Sequence, residues 1–227
     1  MPKSLVKKAA KGWNPKLQKS KPAAPNIPGL ATELNFPDGP RDKQLAVVQQ
    51  LRYLLNLKYE LAVADQIIAT GAIPRLVDLL LLDDAWELQH EAAWAITNVA
   101  AGSREHTTAA AAAVPNLVRL LAIDRATARY TNPAFPARDA DNIVSTAMWA
   151  LANIAGDGRE LRDRVLDAGA LPLILEELKR GRLAGCWRSD ANRDEDYLQP
   201  SPKVSSANAT HDLEDYVLRI PGFTAEL

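Results

Sequence analysis

The sequence is short of residues on which several common protein classes depend. It contains one cysteine, Cys186, among 227 residues, so it can form neither an intramolecular disulfide nor a cysteine-based metal cluster. No window approaches the roughly 20 apolar residues that a transmembrane helix needs. The N-terminal residues also lack the continuous apolar stretch of a secretory signal. We therefore expect a soluble protein in a reducing compartment, with no membrane partner.

An excess of charge of either sign is missing too. The chain carries 27 basic and 28 acidic residues, a formal net charge of −1, so no global field favours nucleic acid. Only 6% of the residues are aromatic, and Ala and Leu supply much of the 47% that is hydrophobic. Because this composition suits closely packed helices better than a β-sandwich, the sequence predicts an all-α protein with no nucleic-acid partner.

Motifs of catalysis and cofactor binding are also missing. The sequence contains no GxxxxGK[ST], GxGxxG, HExxH or GxSxG. Its three histidines, His90, His106 and His211, are scattered and have no accompanying nucleophile, which predicts surface positions for them. We expect no enzyme activity, no cofactor and no metal site.

What the chain does contain is an internal repeat. GAIPRLVDLL from Gly71, AAVPNLVRLL from Ala112 and GALPLILEEL from Gly169 each join a small residue, an aliphatic residue and a proline to a helical apolar run. Proline is tolerated in the first turn of a helix because its missing N–H would be unpaired there. The step from Pro74 to Pro115 is 41 residues, close to the ~40–47 residues of armadillo and HEAT units.

A second repeated segment lies between these runs. HEAAWAITNVAAGSRE and STAMWALANIAGDGRE align Trp94 with Trp149 and Asn98 with Asn153. Their separation of 55 residues is too long for one unit. We place the excess in residues 123–142, as an insertion in a loop between two helices, where extra length costs little entropy. A gene-model artefact is the alternative.

The helical apolar spacing extends over residues 43–183. It predicts about two complete three-helix units with a partial unit at either end. The predicted helices are 43–56, 60–69, 72–82, 86–101, 104–112, 114–123, 142–155, 159–168 and 170–181. Residues 1–42 begin with a lysine-rich stretch and are dense in proline and glycine, which predicts a flexible arm. Residues 184–227 are polar and predict a divergent, largely disordered tail.

The repeated Trp and Asn residues suggest a binding surface. A spacing of four places both members of a pair on one helical face. An indole face offers an apolar wall to a Lys or Arg stem, with a cation–π contribution of ~0.5–2 kcal/mol. An Asn amide suits an extended peptide backbone. Core packing is the alternative for each Trp, although an amide repeated beside it is a poor core residue.

The segments LQHEAAWAITNVAAG and AMWALANIAGDGRELRDRVLDAGALP resemble the second and third armadillo repeats of the importin alpha (karyopherin alpha) family. Apart from the insertion, the resemblance covers roughly residues 43–183. It implies a right-handed superhelix, an α-solenoid, whose third helices line a concave groove. It further implies that this groove binds an extended, lysine- or arginine-rich nuclear localisation signal, antiparallel to the array. The implied protein is a non-enzymatic import adaptor of cytoplasm and nucleus.

The resemblance also assigns individual groove residues. It implies that Asp157 forms the salt bridge to the critical lysine of the signal, which the Gly102 carbonyl and the Thr107 hydroxyl also contact. From the residues alone, Asp157 could instead be the N-cap of the next helix, with Glu160 as its capping-box partner. The expected peptide-binding set is Trp94, Asn98, Gly102, Thr107, Trp149, Asn153 and Asp157.

Several features depart from the family pattern. Thr146 stands where the family has a groove glutamine, and neither a third Trp–Asn pair nor the second groove has a counterpart. The arm has lysines but no arginine cluster, so importin beta is a doubtful partner. The alternative function is a truncated armadillo scaffold for protein interaction without transport activity. Such a short array lacks evident polar capping repeats, so self-association is possible.

Overall fold

The computed structural model describes residues 26–35, 39–56, 60–123 and 137–179. Within these ranges every regular element is helical. The α-helices are α1 (Ile27–Leu34), α2 (Arg41–Leu55), α3 (Glu60–Ala69), α4 (Ala72–Leu79), α5 (Trp86–Ala100), α6 (Arg104–Ala110), α7 (Val114–Leu121), α8 (Ala137–Gly156), α9 (Arg159–Asp167) and α10 (Ala170–Lys179), and a 3₁₀ turn spans Ala111–Ala113.

The helices follow a repeating order of three. α3, α4 and α5 form one complete unit and α6, α7 and α8 form the next, while α1–α2 and α9–α10 are partial units. The third helices, α2, α5 and α8, pack side by side with α5 in the middle. The second helices, α1, α4, α7 and α10, follow one another in a second row. This order confirms the predicted all-α, armadillo-type solenoid.

Glycine and proline set where the second helices begin. Gly71 and Gly169 have φ angles of 72° and 81°, in the left-handed region, at the turns before α4 and α10. Glycine adopts this region without the steric cost of a Cβ atom. Pro74 and Pro115 lie in the first turns of α4 and α7, as their places in the repeat predict.

The middle third helix, α5, is buried on nearly all sides. Eleven of its 15 residues are buried, because α2 and α8 cover opposite flanks and α4 and α6 pack near its ends. Ala92, Ala93 and Ala95 are fully buried. Their small side chains let the neighbouring backbones approach closely, so the row of third helices forms the centre of the core.

The prediction of a flexible arm over residues 1–42 is wrong for α1. Ile27, Ala31 and Leu34 are buried, and the helix packs against α2 and α3. The asparagine before α1 caps it through its side chain, and the proline and glycine that suggested an arm occupy its first turn. Proline and glycine are frequent in flexible arms, but proline is also common in the first turn of a helix.

The predicted insertion changes in length, whereas the predicted tail stays a prediction. The insertion predicted for residues 123–142 is shorter, since α8 begins at Ala137. A polar, partly acidic sequence is compatible with a helix N-terminus, so its polarity did not mark a loop. Residues 1–25, 124–136 and 180–227 lie outside the described residues, so the proposed tail and the rest of the arm remain predictions.

Polar side chains on the second helices join successive units. Arg75 of α4 donates to the Leu34 carbonyl at the end of α1, at 3.3 Å. Asn116 of α7 donates to the Val77 carbonyl in the last turn of α4, at 3.0 Å. Carbonyls in the last turn of a helix have no partner within the helix. Both donors follow the repeated proline directly, so the sequence repeat is also a repeat of hydrogen bonds.

An ion pair also joins α7 to the loop after α4. Arg119 of α7 lies 2.8 Å from Asp83, in the loop after α4, and also donates to the Leu80 carbonyl. Burial alone would raise the pKa of Asp83, but hydrogen bonds from Arg119 and Gln89 outweigh it and hold that pKa below its usual value. The pair therefore stabilises the fold when the carboxyl group is ionised.

We expect Leu34→Ala to lower the free energy of unfolding by about 2–5 kcal/mol, because the side chain is fully buried. Urea unfolding followed by circular dichroism measures the change. Glu33→Ala, at an exposed position of the same helix, is the control and should cost less than about 0.5 kcal/mol. If both variants lower the free energy of unfolding by equally small amounts, α1 does not contribute to the core and the prediction of a flexible arm holds there.

Arg119→Met should lower stability in a pH-dependent way. The folded pKa of Asp83 is depressed, so the pair stabilises the fold above the unfolded pKa, and this contribution is lost as the pH falls through the folded pKa. Because the pair is exposed, the pH-dependent part should not exceed about 1 kcal/mol. Urea titrations at several pH values measure it. In an Asp83→Asn background, Arg119→Met should cause no pH-dependent loss of stability. If that loss persists, it does not come from the ion pair between Arg119 and Asp83.

Candidate peptide-binding groove

The expected groove residues lie on the third helices and in the turns that follow them. Trp94 and Asn98 lie on α5, and Trp149 and Asn153 hold the equivalent positions on the adjacent α8. Both tryptophans are half-buried, so neither is a core residue. Both asparagines are buried. The structure therefore places two Trp–Asn pairs one unit apart on neighbouring helices.

The asparagine amides link each third helix to the preceding one. Asn98 Nδ2 lies 3.4 Å from the Arg52 carbonyl and 3.2 Å from Asn56 Oδ1 on the α2 side. Asn153 Nδ2 donates to the Thr97 carbonyl of α5 at 3.3 Å. Among the described residues, nothing donates to the buried Oδ1 of Asn98. These amides therefore have a structural role that the sequence did not reveal, while one acceptor remains unused.

Trp94 contacts a cation of its own chain. The guanidinium carbon of Arg52 lies 4.5 Å from the centroid of the indole ring, within cation–π range. Arg52 Nε is also ion-paired with Glu91, and both residues are buried. The His90 ring packs 5.7 Å from the indole with an interplanar angle of 47°. Part of the Trp94 ring surface therefore already meets a cation of the same chain.

A histidine–threonine contact joins α5 to α8 beside the tryptophans. His90 Nε2 lies 3.2 Å from Thr146 Oγ1. The Thr146 hydroxyl thereby connects the two neighbouring third helices. His90 is half-buried, so this contact between α5 and α8 is only partly covered by the rest of the protein.

The turn after α5 holds Gly102 against a buried histidine. His106 Nδ1 accepts the Ser103 N–H at 3.1 Å, and Nε2 lies 2.7 Å from Asp65 Oδ1. A Cβ atom on Gly102 would collide with the imidazole ring. The prediction of a surface position is wrong for His106, which is 2% exposed, because its ring supplies the acceptor that this tight turn needs.

Thr107 supports the same turn from the protein interior. It is fully buried, and its hydroxyl lies 3.0 Å from the Ala100 carbonyl and 2.9 Å from the Ser103 carbonyl. A hydroxyl has one proton, so it donates to one of these carbonyls at a time. Thr107 thereby connects the end of α5 to the beginning of α6.

Asp157 is not the cap of the helix that follows it. The N-cap of α9 is Gly158, with a φ angle of 143°, and Glu160 pairs with Arg104 at 3.5 Å. The capping box of Asp157 and Glu160 is therefore wrong. The reason is that the left-handed φ at the next residue makes glycine the boundary of the helix.

Arg104 brings the two turns of the expected lysine pocket together. From the beginning of α6 it donates to the Asp157 carbonyl at 3.0 Å. Its guanidinium also lies against Gly158, where a Cβ atom would come within 3.0 Å of it. The turn that carries Gly102 and the turn that carries Asp157 consequently lie at the same end of α5 and α8.

The described residues contain no group of three or more His, Cys, Asp and Glu side chains that could hold a metal ion. None of the helices in the described ranges is long and apolar enough to span a membrane. The chemistry that is present comprises two half-buried indoles, a row of amides and a carboxylate. These groups match the stems, backbone and charge of an extended basic peptide.

Comparison with known proteins agrees with this architecture. The Armadillo/beta-catenin-like repeat model matches residues 62–101, which lie in α3 to α5. Importin subunit alpha-2 of Arabidopsis thaliana is 37% identical over 140 residues, covering 61% of this chain and 23% of that protein. Probable importin subunit alpha-A of Dictyostelium discoideum is 32% identical over 171 residues, covering 74% and 28%. The chain thus spans about a quarter of the length of these relatives.

Among solved structures, a designed armadillo repeat protein in complex with the peptide (KR)4 matches with a TM-score of 0.57 and 26% identity, over 71% of this chain and 61% of that one. The rows of second and third helices and these matches define an armadillo-repeat protein. More specifically, the sequence is similar to importin alpha subunits over most of this chain.

Gly102→Ala should lower the free energy of unfolding by about 1–3 kcal/mol, because displacing His106 leaves the Ser103 N–H without its acceptor. Urea unfolding measures the loss. Gly156→Ala is the matched control, since a Cβ atom there meets nothing within 4 Å, and it should be neutral or slightly stabilising. If Gly102→Ala and Gly156→Ala lower the free energy of unfolding by similar amounts, the His106 ring does not depend on the missing Cβ atom of Gly102.

Proposed function

We propose that this protein is a non-enzymatic adaptor that binds basic nuclear localisation peptides for import into the nucleus. The observation that carries the proposal is the repetition of half-buried Trp94 and Trp149 at equivalent positions of adjacent third helices. Relatives named as importin alpha subunits support it. An armadillo protein of similar fold solved with the peptide (KR)4 supports the class of ligand.

In this proposal the two tryptophans act on the stems of peptide side chains. A Lys or Arg stem lies along an indole, and its cation interacts with the ring. Asn98 and Asn153 lie four residues further along the same helices, where an extended peptide backbone would pass. The unused acceptor of Asn98 is available to a peptide N–H once the buried amide becomes accessible.

The critical lysine is assigned to the two turns at the end of the groove. The Asp157 carboxylate would neutralise its ammonium group, and the Gly102 carbonyl would accept one of its N–H bonds. The Thr107 hydroxyl belongs to the same proposed pocket. Because Thr107 is fully buried, contact with it requires the turn after α5 to open. If the turn stays closed, the role of Thr107 is to hold that turn in place.

We place this activity in the cytoplasm and nucleus. The proposal does not include importin beta, because residues 1–42 hold lysines but no arginine cluster. Self-association also remains a prediction.

A second candidate function is a truncated scaffold that binds proteins without transport. It is favoured by the internal use of the groove's polar groups, since Asn98 and Asn153 donate to neighbouring helices and Arg52 contacts Trp94. In a scaffold these contacts would be purely structural, and a basic peptide would not compete with them.

Trp94→Ala, Trp149→Ala and Asp157→Asn should each weaken binding of a lysine-rich localisation peptide about tenfold or more, equivalent to ~1.4 kcal/mol. Fluorescence anisotropy measures the affinity, which should fall as salt rises. Circular dichroism confirms that each variant is folded.

The matched control is Asp163→Asn, which removes an acidic residue that pairs with Arg159 on α9 and lies outside the expected site. It should leave the affinity unchanged. If all three groove variants bind as tightly as the wild type, the adaptor function is excluded and the scaffold remains.

A further inference from the structure

A third pair with the same spacing lies one helix earlier than the Trp–Asn pairs. Arg52 and Asn56 are four residues apart, and they precede Trp94 and Asn98 by 42 residues, the length of one armadillo unit. The structure brings the pairs together member by member. The Arg52 guanidinium lies 4.5 Å from the Trp94 ring, and Asn56 Oδ1 accepts from Asn98 Nδ2 at 3.2 Å.

The Arg52–Asn56 pair therefore continues the row of groove residues onto α2, with an arginine where α5 and α8 have tryptophan. The Arg52 backbone belongs to the same row, since its carbonyl also accepts from Asn98. The repeated indole in the sequence does not reveal either residue. A search for any residue followed four positions later by Asn at a step of one unit would have found them.

The Arg52 guanidinium occupies a site that is suited to a cation. Glu91 of α5 neutralises it through an ion pair at Nε, and Trp94, three residues later on the same helix, provides the ring face. Arg52 is 9% exposed and Glu91 is 6% exposed. A carboxylate and an indole around one planar cation are the groups that a basic peptide side chain requires.

We propose that Arg52 is a built-in occupant of a cation-binding site formed by Trp94 and Glu91, and that it limits the length of the basic segment that the groove recognises. This inference rests on the proposed function. In a peptide that runs antiparallel to the array, the residues that pass α2 are C-terminal to those that meet α5 and α8. A basic residue there finds its site already filled.

A purely structural ion pair is the competing explanation. Both explanations predict that removal of Arg52 harms the fold, because the buried Glu91 loses its partner. They differ in what a soluble cation does next. A filled binding site, once emptied, accepts a cation of the right shape, whereas a defect in packing does not.

The first experiment uses N-ethylguanidinium, which reproduces the part of the arginine side chain that Arg52→Ala removes. Thermal unfolding of the full chain is followed by circular dichroism with increasing probe. The Tm of Arg52→Ala should rise by several degrees, because a ligand that binds only the folded state shifts the equilibrium toward it. This readout works even if the variant is partly unfolded without the probe.

The wild type and the double variant Arg52→Ala/Glu91→Gln are the controls. In the wild type the site is occupied, and in the double variant the carboxylate is gone, so neither Tm should rise. The double variant also has no unpaired buried charge, which separates loss of the site from loss of the fold. No rise for Arg52→Ala, or the same rise for all three proteins, overturns the proposed site.

The second experiment tests whether the site sets the length of the peptide. Fluorescence anisotropy compares a short lysine-rich localisation peptide with versions extended at the C-terminus by two lysines or, as the control, by two glutamines. The wild type should bind all three within about twofold. Arg52→Ala should bind the lysine-extended peptide about tenfold more tightly than the other two, a difference of ~1.4 kcal/mol.

The outcomes separate this inference from the proposed function. If the short peptide binds the wild type but Arg52→Ala gains nothing from the added lysines, the limit on length is wrong and the adaptor function stands. If the short peptide binds neither protein, the adaptor function and the limit on length both fail. The N-ethylguanidinium result still decides whether Trp94 and Glu91 form a cation site.

Discussion

Close contact between consecutive third helices is the interaction on which the rest of the structure depends. α5 packs between α2 and α8, and fully buried alanines on its flanks allow the three backbones to approach. At this separation Asn98 reaches a carbonyl of α2, and Asn153 reaches a carbonyl of α5. Bulkier flanks would push the helices apart, break these hydrogen bonds and separate Trp94 from Trp149.

The polar groups that stabilise the array include those of the proposed groove, which would restrict how a ligand can bind. Asn98 already donates to α2, and Arg52 already lies on Trp94. A ligand that merely replaced these contacts would gain little, because exchanging one hydrogen bond for another has a small net free energy. In the proposed function, affinity for a peptide would have to come from additional charge and apolar contact.

How far the fold and the site could be predicted follows from the range of the interactions involved. α5 was predictable because its apolar period and its repeated Trp and Asn are local in sequence. α1 was missed because Pro28 and Gly29 resemble a linker, although Ile27, Ala31 and Leu34 have helical spacing. The capping alternative for Asp157 failed because no local pattern reveals the φ angle of the glycine that follows.

The sequence by itself determined the helical class, the length of the unit, and the placing of the two Trp–Asn pairs on equivalent helices, since these depend on periodicity within short segments. Only the tertiary structure decided which groups those pairs meet. Arg52 reaches Trp94, and Asp65 reaches His106, from neighbouring units. The physical reason is that stacking of the units, and not spacing along the chain, brings these side chains within contact distance.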